Sequence, residues 1–337
     1  MEASVEKLFG EAILDEAARR FGMTAGSYKM LGDFENYVYE MNRGGEAYIM
    51  RLTHSSHRLE GEISAELAWI SFLVSEGLDI PACFPSLQGR ALTERIPAGD
   101  SWFTACLFQK AKGNPPDVHD PAVWNPELFE HWGEIIGRMH EATSRYEVPA
   151  GSPRRPDWED DELLRDAANY TVPGDEFVLE RLDQLLAHLR GSPREKNAYG
   201  LIHTDIHRGN FFVKDGRIAV FDFDDCAYNW FVHDIAIPLY YSLTMDVPES
   251  YAGGKEAFAL DFLRAFRKGY RSAYESPSEW LKEMPYFLKL RDITLYLVIN
   301  KKLDPANRKP HIQQWMEDIK DRIRRDVPVV EVDYGHI

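Results

Sequence analysis

The stretch of residues 199–228 constrains the fold of this chain more than any other, and it reads YGLIHTDIHRGNFFVKDGRIAVFDFDDCAY. Two short runs rich in aromatic and β-branched residues, 211–213 and 218–221, stand on either side of an Asp-Gly pair. An Asp-Gly pair between such runs is a strong signal for a tight β-hairpin. The stretch therefore predicts two antiparallel strands joined by a short turn.

Three polar side chains flank this predicted hairpin. Asp205 and Asn210 precede the first strand, and Asp222 follows the second one directly. Because a hairpin returns the chain to the end at which it entered, we expect all three at the same end. Carboxylate and amide oxygens are ligands that Mg²⁺ prefers. The spacing His203-x-Asp205-x-x-x-x-Asn210 is also that of the kinase catalytic loop, in which the Asp orients the attacking hydroxyl.

The motifs HTDIHRGN and VFDFDD together resemble the aminoglycoside phosphotransferase family, whose superfamily includes choline, homoserine and stress-response kinases. The resemblance implies that Asp205 is the catalytic base and that Asn210 and Asp222 bind magnesium. It also implies that His203 supports the loop and that Asp234, at the start of an apolar helix pattern, braces it. The chain has Asp-Phe-Asp where protein kinases have Asp-Phe-Gly.

The same resemblance implies an α+β, two-lobed protein-kinase-like fold with ATP and magnesium between the lobes. We expect an N-terminal lobe of antiparallel sheet with helix at 1–107, a hinge at 108–113, and a larger, mainly helical C-terminal lobe at 114–337. Outside the two motifs, the match rests on the order of the elements. Helix patterns near the C-terminal end cover residues 255–275, 278–300 and 308–325, with a break at residues 276–277.

Five positions are expected to contact the nucleotide through loops or backbone groups. Gly32 and Asn36 lie in the turn where kinases cover the phosphates, although this turn has a single glycine and fits an ordinary hairpin equally well. Phe108, Gln109 and Ala111 follow the last predicted strand of the sheet, where a kinase chain crosses between lobes. We expect their backbone groups to bind the adenine edge.

Arg51 falls on a predicted strand, at the place where kinases carry the lysine that binds the α- and β-phosphates. The following helix offers two candidate partners for it. The family spacing favours Glu66, and Glu62, one turn away, remains the alternative. An exposed arginine and an exposed glutamate without a shared role are a further possibility.

The formal net charge of −16 disfavours nucleic acid and anionic membranes as partners and is compatible with a cationic substrate. Asp157 and Glu159 lie in an acid-rich segment that forms either an acidic rim for such a substrate or a solvated helix start. Asp224 is another candidate for substrate contact. We therefore expect the acceptor to be a hydroxyl of a small molecule, aminoglycoside-like or another cationic metabolite.

The chain has 337 residues, 44% of them hydrophobic, which is enough for a substantial core. No apolar run reaches the length of a membrane span, the N-terminal segment lacks the features of a signal peptide, and the three cysteines are scattered. These features predict a cytoplasmic enzyme and leave its oligomeric state open. One alternative is a stress-response-type serine/threonine protein kinase. The other is a catalytically silent nucleotide-binding or coat-associated protein, and the presence of Asp205, Asn210 and Asp222 together argues against this second alternative.

Overall fold

The computed structural model describes residues 3–26, 28–87, 89, 91–247, 251–275, 278–334 and 337. Its contacts divide the chain into two compact units. The first unit comprises residues 1–113, 146–155 and 219–224, and the second comprises 114–145, 156–218 and 225–337. The lobe and hinge borders expected from the sequence stay a prediction, and the break expected at 276–277 falls outside the described residues.

The first unit is built on a six-stranded sheet whose strand pairs are antiparallel. Its elements are α1 (Ala3–Glu6), α2 (Glu11–Phe21), β1 (Lys29–Gly32), β2 (Tyr37–Arg43), β3 (Glu46–His54), α3 (Glu60–Ser75), β4 (Cys83–Phe84), β5 (Thr93–Ala98) and β6 (Ser101–Gln109). The strand order is β1-β2-β3-β6-β4, and β5 also pairs with β6.

The two faces of strand β3 carry different chemistry because successive side chains of a strand point to opposite sides. Met50 and Leu52 are buried in the apolar core that the sheet forms with α2, together with Phe21 of that helix. Arg51, between them, points to the other face and is itself buried. This alternation places a guanidinium on the face of the sheet opposite the apolar core.

The second unit is mainly helical and contains two small sheets, β7 with β10 and β8 with β9, although β9 ends in residues of the first unit. Its elements are α4 (Pro126–Arg145), α5 (Glu162–Arg165), α6 (Ala167–Tyr170), α7 (Phe177–Gly191), β7 (Tyr199–Ile202), β8 (Phe211–Lys214), β9 (Arg217–Val220), β10 (Ala227–Trp230), α8 (His233–Tyr241), α9 (Gly254–Ala273), α10 (Met284–Lys302) and α11 (Pro310–Arg325). None of the helices in the described part of the chain is long and apolar enough to cross a bilayer.

Helices α4 and α9 approach each other closely because glycines lie where they meet. A Cβ atom at Gly133 would stand 1.9 Å from the carbonyl oxygen of Phe266, and one at Gly269 would stand 1.7 Å from that of Glu130. No side chain fits at these distances, so backbone packs directly on backbone. The close approach also lets buried polar groups of the two helices bond, as His140 Nδ1 does to the hydroxyl of Tyr270 at 2.8 Å.

The hairpin predicted from the sequence is present as β8 and β9. Its two turn residues, Asp215 and Gly216, both have positive φ, 51° and 74°, as the tight hairpin turns favoured by Asp-Gly require. The strands that flank the hairpin, β7 and β10, pair with each other antiparallel, with Leu201 opposite Tyr228. The loop of residues 203–210 therefore begins at a paired strand and ends at another, which limits how far it can move.

Candidate active site

The loop of residues 203–210 brings Asp205 and Asn210 into contact within the second unit. The side-chain nitrogen of Asn210 donates to the backbone oxygen of Asp205 at 2.9 Å and to its Oδ2 at 3.2 Å. Because these two bonds use the amide nitrogen, the amide oxygen is the atom of Asn210 that is left to coordinate a metal ion. One carboxylate and one amide oxygen, the donors that hard divalent cations prefer, thus lie on one short loop.

Asp234, in the first turn of α8, holds the beginning of this loop. Its Oδ2 accepts from the backbone N–H of His203 at 3.0 Å and its Oδ1 from that of Thr204 at 2.7 Å. Thr204 has a φ of 70°, a left-handed conformation that costs free energy in a β-branched residue. His140 Nε2 lies 3.3 Å from Oδ2 of the fully buried carboxylate. Burial raises the pKa of Asp234, but the His140 contact and nearby histidines outweigh it, so that the pKa lies below its usual value.

His203 is also fully buried, and its ring faces the loop that it begins. Its Nδ1 accepts from the backbone N–H of Asp205 at 3.3 Å, so the imidazole orients the residue that follows Thr204. The backbone N–H of His203 is therefore bonded to Asp234, and its side chain is bonded to the backbone of Asp205. This arrangement fits the supporting role that the sequence predicts for the residue.

Arg291 contacts Asp205 directly, and sequence reasoning missed it. Nη2 of Arg291, on α10, lies 2.5 Å from Oδ1 of Asp205 and also bonds the hydroxyl of Tyr241. The guanidinium carbon lies 4.9 Å from the centroid of the Tyr241 ring. No local signal marks Arg291, since 86 positions separate it from Asp205.

The electrostatics of this contact keep Asp205 ionised. Burial by itself raises the pKa of the carboxyl group, but the Arg291 guanidinium, and after it His207, outweigh burial. His207 Nε2 lies 3.5 Å from Oδ2. The pKa of Asp205 therefore lies below its ordinary value, and the side chain is a carboxylate at neutral pH.

In the first unit, Arg51 on β3 forms a two-bond ion pair with Glu66 on α3. The distances are 2.8 Å from Nη1 to Oε1 and 2.6 Å from Nη2 to Oε2. The two side chains are only 5% and 0% exposed. Glu62 instead accepts from the backbone N–H of Leu59 at 2.8 Å, at the start of α3. Of the two glutamates that the sequence leaves open, Glu66 is the partner of Arg51.

Asp224 lies among cationic side chains of the first unit. Its Oδ2 is 2.7 Å from Nε2 of His57 and 3.9 Å from Nε of Arg58, and its Oδ1 is 3.8 Å from Nη1 of Arg51. Its backbone oxygen accepts from Nη2 of Arg155 at 2.7 Å. Burial raises the pKa of Asp224, but His57 and the arginines hold it well below the usual value. Such a carboxylate anchors the segment after β9, which argues against the substrate contact expected for it.

The other predicted positions of the first unit lie at strand ends and turns. Gly32 is the last residue of β1, and Asn36, just before β2, is buried. The amide oxygen of Asn36 accepts from the hydroxyl of Thr53 on β3 at 2.6 Å, so its side chain holds the turn to the sheet. Asp222 follows β9 and has a φ of 66°.

The residues expected to bind adenine lie at the end of β6 and beyond it. Phe108 and Gln109 are its last two residues, and Ala111 follows outside the strand. The backbone N–H of Gln109 donates to the carbonyl of Ala82 at 2.8 Å. That N–H is therefore used within the first unit. Phe108 pairs with Ile49 of β3 and with Cys83 of β4, so Ala111, which lies outside the strand, is the better candidate for a backbone donor.

The acidic rim expected around residues 157–159 is neutralised by arginines of the second unit. Glu159 accepts from Nε of Arg190 at 2.9 Å and also pairs with Arg194. Asp157 lies 3.3 Å from Nη1 of Arg194 and accepts from the hydroxyl of Tyr199. The paired carboxylates remove the electrostatic reason for expecting a cationic substrate at this segment.

Residues 29–275 match the family model described as the phosphotransferase enzyme family. The chain belongs to this family. An amicoumacin kinase of Bacillus subtilis (strain 168) is 33% identical to it over 334 residues, which cover 98% of this chain and 97% of that kinase. The matched span of the phosphotransferase family includes Arg51, Glu66, Asp205, Asn210 and Asp222.

Two solved structures are similar to this phosphotransferase along almost all of its length. The amicoumacin kinase hAmiN in complex with AMP-PNP, Ca²⁺ and Ami has a TM-score of 0.93 at 31% identity, covering 100% of this chain and 99% of that one. A microcompartment-associated aminopropanol kinase has a TM-score of 0.73 at 22% identity, covering 94% and 95%. Both likenesses confirm the protein-kinase-like α+β fold that the sequence predicts. The similarity to the two amicoumacin kinases confirms the class of enzyme, a phosphotransferase.

The bonds of Asp234 lead to a prediction for this phosphotransferase. We expect Asp234→Asn to lower the free energy of unfolding by about 2–4 kcal/mol, because a buried amide group cannot accept both loop N–H bonds and leaves donors unpaired. Turnover is expected to fall with it, since the loop loses its brace. Urea denaturation followed by circular dichroism measures the first effect and ADP release the second.

Asp215→Asn is the matched control, because it makes the same chemical change at an exposed turn residue whose positive φ suits asparagine. We expect it to change the free energy of unfolding by less than about 0.5 kcal/mol. Equal stability and turnover in the Asp234 and Asp215 variants would contradict the bracing role.

Proposed function

We propose that this protein transfers the γ-phosphoryl group of ATP to a hydroxyl of a small molecule, with Mg²⁺ as the cation and a molecule related to amicoumacin as the acceptor. The observation that carries the proposal is the contact of Asp205 with Asn210 on a loop braced by Asp234. Similarity to amicoumacin kinases along nearly the whole chain supports the acceptor class.

Asp205 is proposed to orient the acceptor hydroxyl and take its proton. Phosphoryl transfer needs little covalent chemistry from the protein, so positioning and charge stabilisation supply most of the rate. An ionised carboxylate held within a folded loop can position the hydroxyl. Of its two oxygens, Oδ2 has the longer bond, 3.2 Å to Asn210, and is the one that can exchange a partner for the hydroxyl.

Asn210 and Asp222 are proposed as ligands of the magnesium ion because of the chemistry of their side chains. Asn210 offers an amide oxygen and Asp222 a carboxylate, both hard ligands of the kind that Mg²⁺ prefers. The bound ion would neutralise charge on the β- and γ-phosphates and orient them. The roles of Asn210 and Asp222 as ligands are part of the proposal.

Arg51 and Glu66 are proposed to serve the phosphates of the nucleotide. A guanidinium that is fixed by two bonds to Glu66 keeps one orientation, and its remaining N–H groups are donors. The turn that contains Gly32 and Asn36 would add backbone donors to the phosphates, and Phe108 and residues 109–111 would contact adenine. Arginine in place of the kinase lysine gives a planar donor instead of a point charge.

The experiment that tests the proposal is a panel of acceptors incubated with the purified protein and MgATP, with ADP release and the mass of the product as readouts. Amicoumacin, homoserine, aminopropanol and spectinomycin represent acceptors of the family, and casein and the protein itself represent protein substrates. We expect amicoumacin to give the highest kcat/KM and a product that carries one phosphoryl group.

Other outcomes of the same panel separate the alternatives. Phosphate transfer to casein or to the protein itself, without transfer to any small molecule, would replace the proposal by a protein kinase. Transfer to homoserine or aminopropanol with none to amicoumacin would confirm a small-molecule kinase and show that the proposed acceptor is wrong. No transfer at all, with MgATP binding intact, would indicate a silent nucleotide-binding protein.

A further inference from the structure

The two carboxylate oxygens of Asp205 are held unequally. Oδ1 has a charge-assisted bond of 2.5 Å to Nη2 of Arg291. Among the described residues, Oδ2 has a 3.2 Å bond to Asn210 and a 3.5 Å approach from His207. The carboxylate is therefore anchored at one oxygen, and the other can change its partner.

Arg291 is itself fixed by Tyr241, the last residue of α8. The tyrosine hydroxyl accepts from the same Nη2 that binds Asp205, and the ring lies beneath the guanidinium. The side chains of Arg291 and Asp205 are 17% and 18% exposed, so a substrate can reach this place. Contacts from two directions reduce the rotamer freedom of the arginine, which would otherwise be large.

We propose that Arg291 is a positioning residue for phosphoryl transfer, holding Oδ1 of Asp205 so that Oδ2 faces the acceptor hydroxyl. This inference rests on the proposed function of Asp205. In the step that it serves, the hydroxyl proton passes to Oδ2 and the hydroxyl oxygen bonds to the γ-phosphorus. The bond from that phosphorus to the bridging oxygen of ADP breaks, and its electron pair leaves with ADP.

The expected size of the effect follows from geometry. A carboxylate without its anchor can turn about the bond to Cβ and present either oxygen at varied angles. A misplacement of about 1 Å at a reacting group costs about 10²-fold in rate. Because the anchor acts on the attacking side, it should affect kcat much more than the KM for ATP.

A second cluster of the same residue types supplies an internal control. Tyr240, the neighbour of Tyr241, donates to Oδ1 of Asp292 at 2.6 Å. Asp292, the neighbour of Arg291, pairs with Arg322 of α11 at 2.6 and 2.8 Å. This cluster also holds α8 and α10 together, but Asp205 has no part in these bonds.

The experiment compares Arg291→Met, Arg291→Lys, Tyr241→Phe and Tyr240→Phe in the full chain. We expect Arg291→Met to lower kcat about 10²-fold with the KM for MgATP changed less than about threefold. Arg291→Lys keeps the charge and should recover part of the loss, and added guanidinium ion should raise the kcat of Arg291→Met. We expect Tyr241→Phe to lower kcat several-fold and Tyr240→Phe to leave kcat unchanged. Both variants should lose a similar amount of thermal stability.

Two reactions serve as readouts, so that failure of the inference and failure of the proposed function can be told apart. One is phosphorylation of amicoumacin, and the other is the slow hydrolysis of MgATP, in which water replaces the acceptor. If amicoumacin is not a substrate, the proposed acceptor is wrong, while hydrolysis still tests Arg291.

Three results would overturn the positioning role. The first is a kcat of Arg291→Met within twofold of the unmodified protein. The second is a loss of kcat in Arg291→Met that is fully explained by a smaller folded fraction in circular dichroism and is not reversed by guanidinium ion. The third is an equal loss of kcat in Tyr240→Phe and Tyr241→Phe, which decides the matter even if Arg291→Met does not fold.

Discussion

Asp205→Asn is expected to lower turnover by about 10²–10⁴-fold while MgATP still binds. The amide has nearly the shape of the carboxylate but cannot accept the proton of the acceptor hydroxyl. It also offers Arg291 a neutral oxygen or an N–H group in place of an anion. Steady-state ADP release measures the first effect, and calorimetric titration with MgATP measures the second.

The same substitution should reduce stability, because a mostly buried guanidinium loses its anionic partner. Combining Asp205→Asn with Arg291→Met removes the unpaired charge, so the double variant should recover part of the lost stability and none of the lost turnover. This separation distinguishes a catalytic carboxylate from a structural one. Turnover of Asp205→Asn equal to that of the unmodified protein would remove the assignment of Asp205 as the base.

The loop and the hairpin were predictable because their signals are local. The Asp-Gly pair determines its own turn conformation, and the motif that contains His203, Asp205 and Asn210 lies within one short loop. Their mutual contacts therefore need little knowledge of the rest of the fold. Asp234 is more distant in sequence, and only the order of elements in the resembled family suggested its contact with the loop.

The partners of charged groups depend on tertiary packing, so fewer of them could be predicted from the sequence. Glu62 and Glu66 lie one turn apart on the same helix, so only the packing of α3 decides which of them meets Arg51. Arg291 lies in a helix pattern that also contains other charged residues, and no residue near it in the sequence indicates a contact with Asp205. A helix brings such a residue to a distant loop only through the folded second unit.

Charge composition alone does not identify which acidic side chains a substrate can reach, for a related reason. Net charge is a sum over the chain and contains no information on pairing. From the sequence, Glu159 and Asp157 fitted either an acidic rim or a solvated helix start, and in the fold Arg190 and Arg194, later in the chain, neutralise them. Asp224 looked available for substrate and is bonded to His57 of its own unit. A prediction of substrate charge needs the unpaired groups alone, and these appear only in the fold.

Glu66→Gln is expected to lower the free energy of unfolding by about 3 kcal/mol, the lower end of the range for breaking a buried ion pair from one side. The substitution keeps the volume and removes the charge that compensates Arg51, whose side chain is 5% exposed. Asp224, 3.8 Å from the guanidinium, supplies some compensation and holds the cost at that lower end. Chemical denaturation of the two proteins gives the difference.

Glu62→Gln is the matched control, because it makes the same change one turn earlier on α3. Glu62 bonds the N–H of Leu59 near the helix start in a partly exposed setting, so we expect a loss of about 1 kcal/mol or less. Equal losses in the two variants would show that the ion pair of Glu66 contributes no more than an ordinary helix-end contact.

The role of this pair in function is separable from its role in stability. The double variant Arg51→Met with Glu66→Leu replaces two buried charges by apolar groups of similar size, which is often neutral or stabilising. We expect it to recover most of the stability that Glu66→Gln loses and to bind MgATP more weakly than the unmodified protein. Unchanged MgATP affinity in the folded double variant would contradict the phosphate-binding role of Arg51.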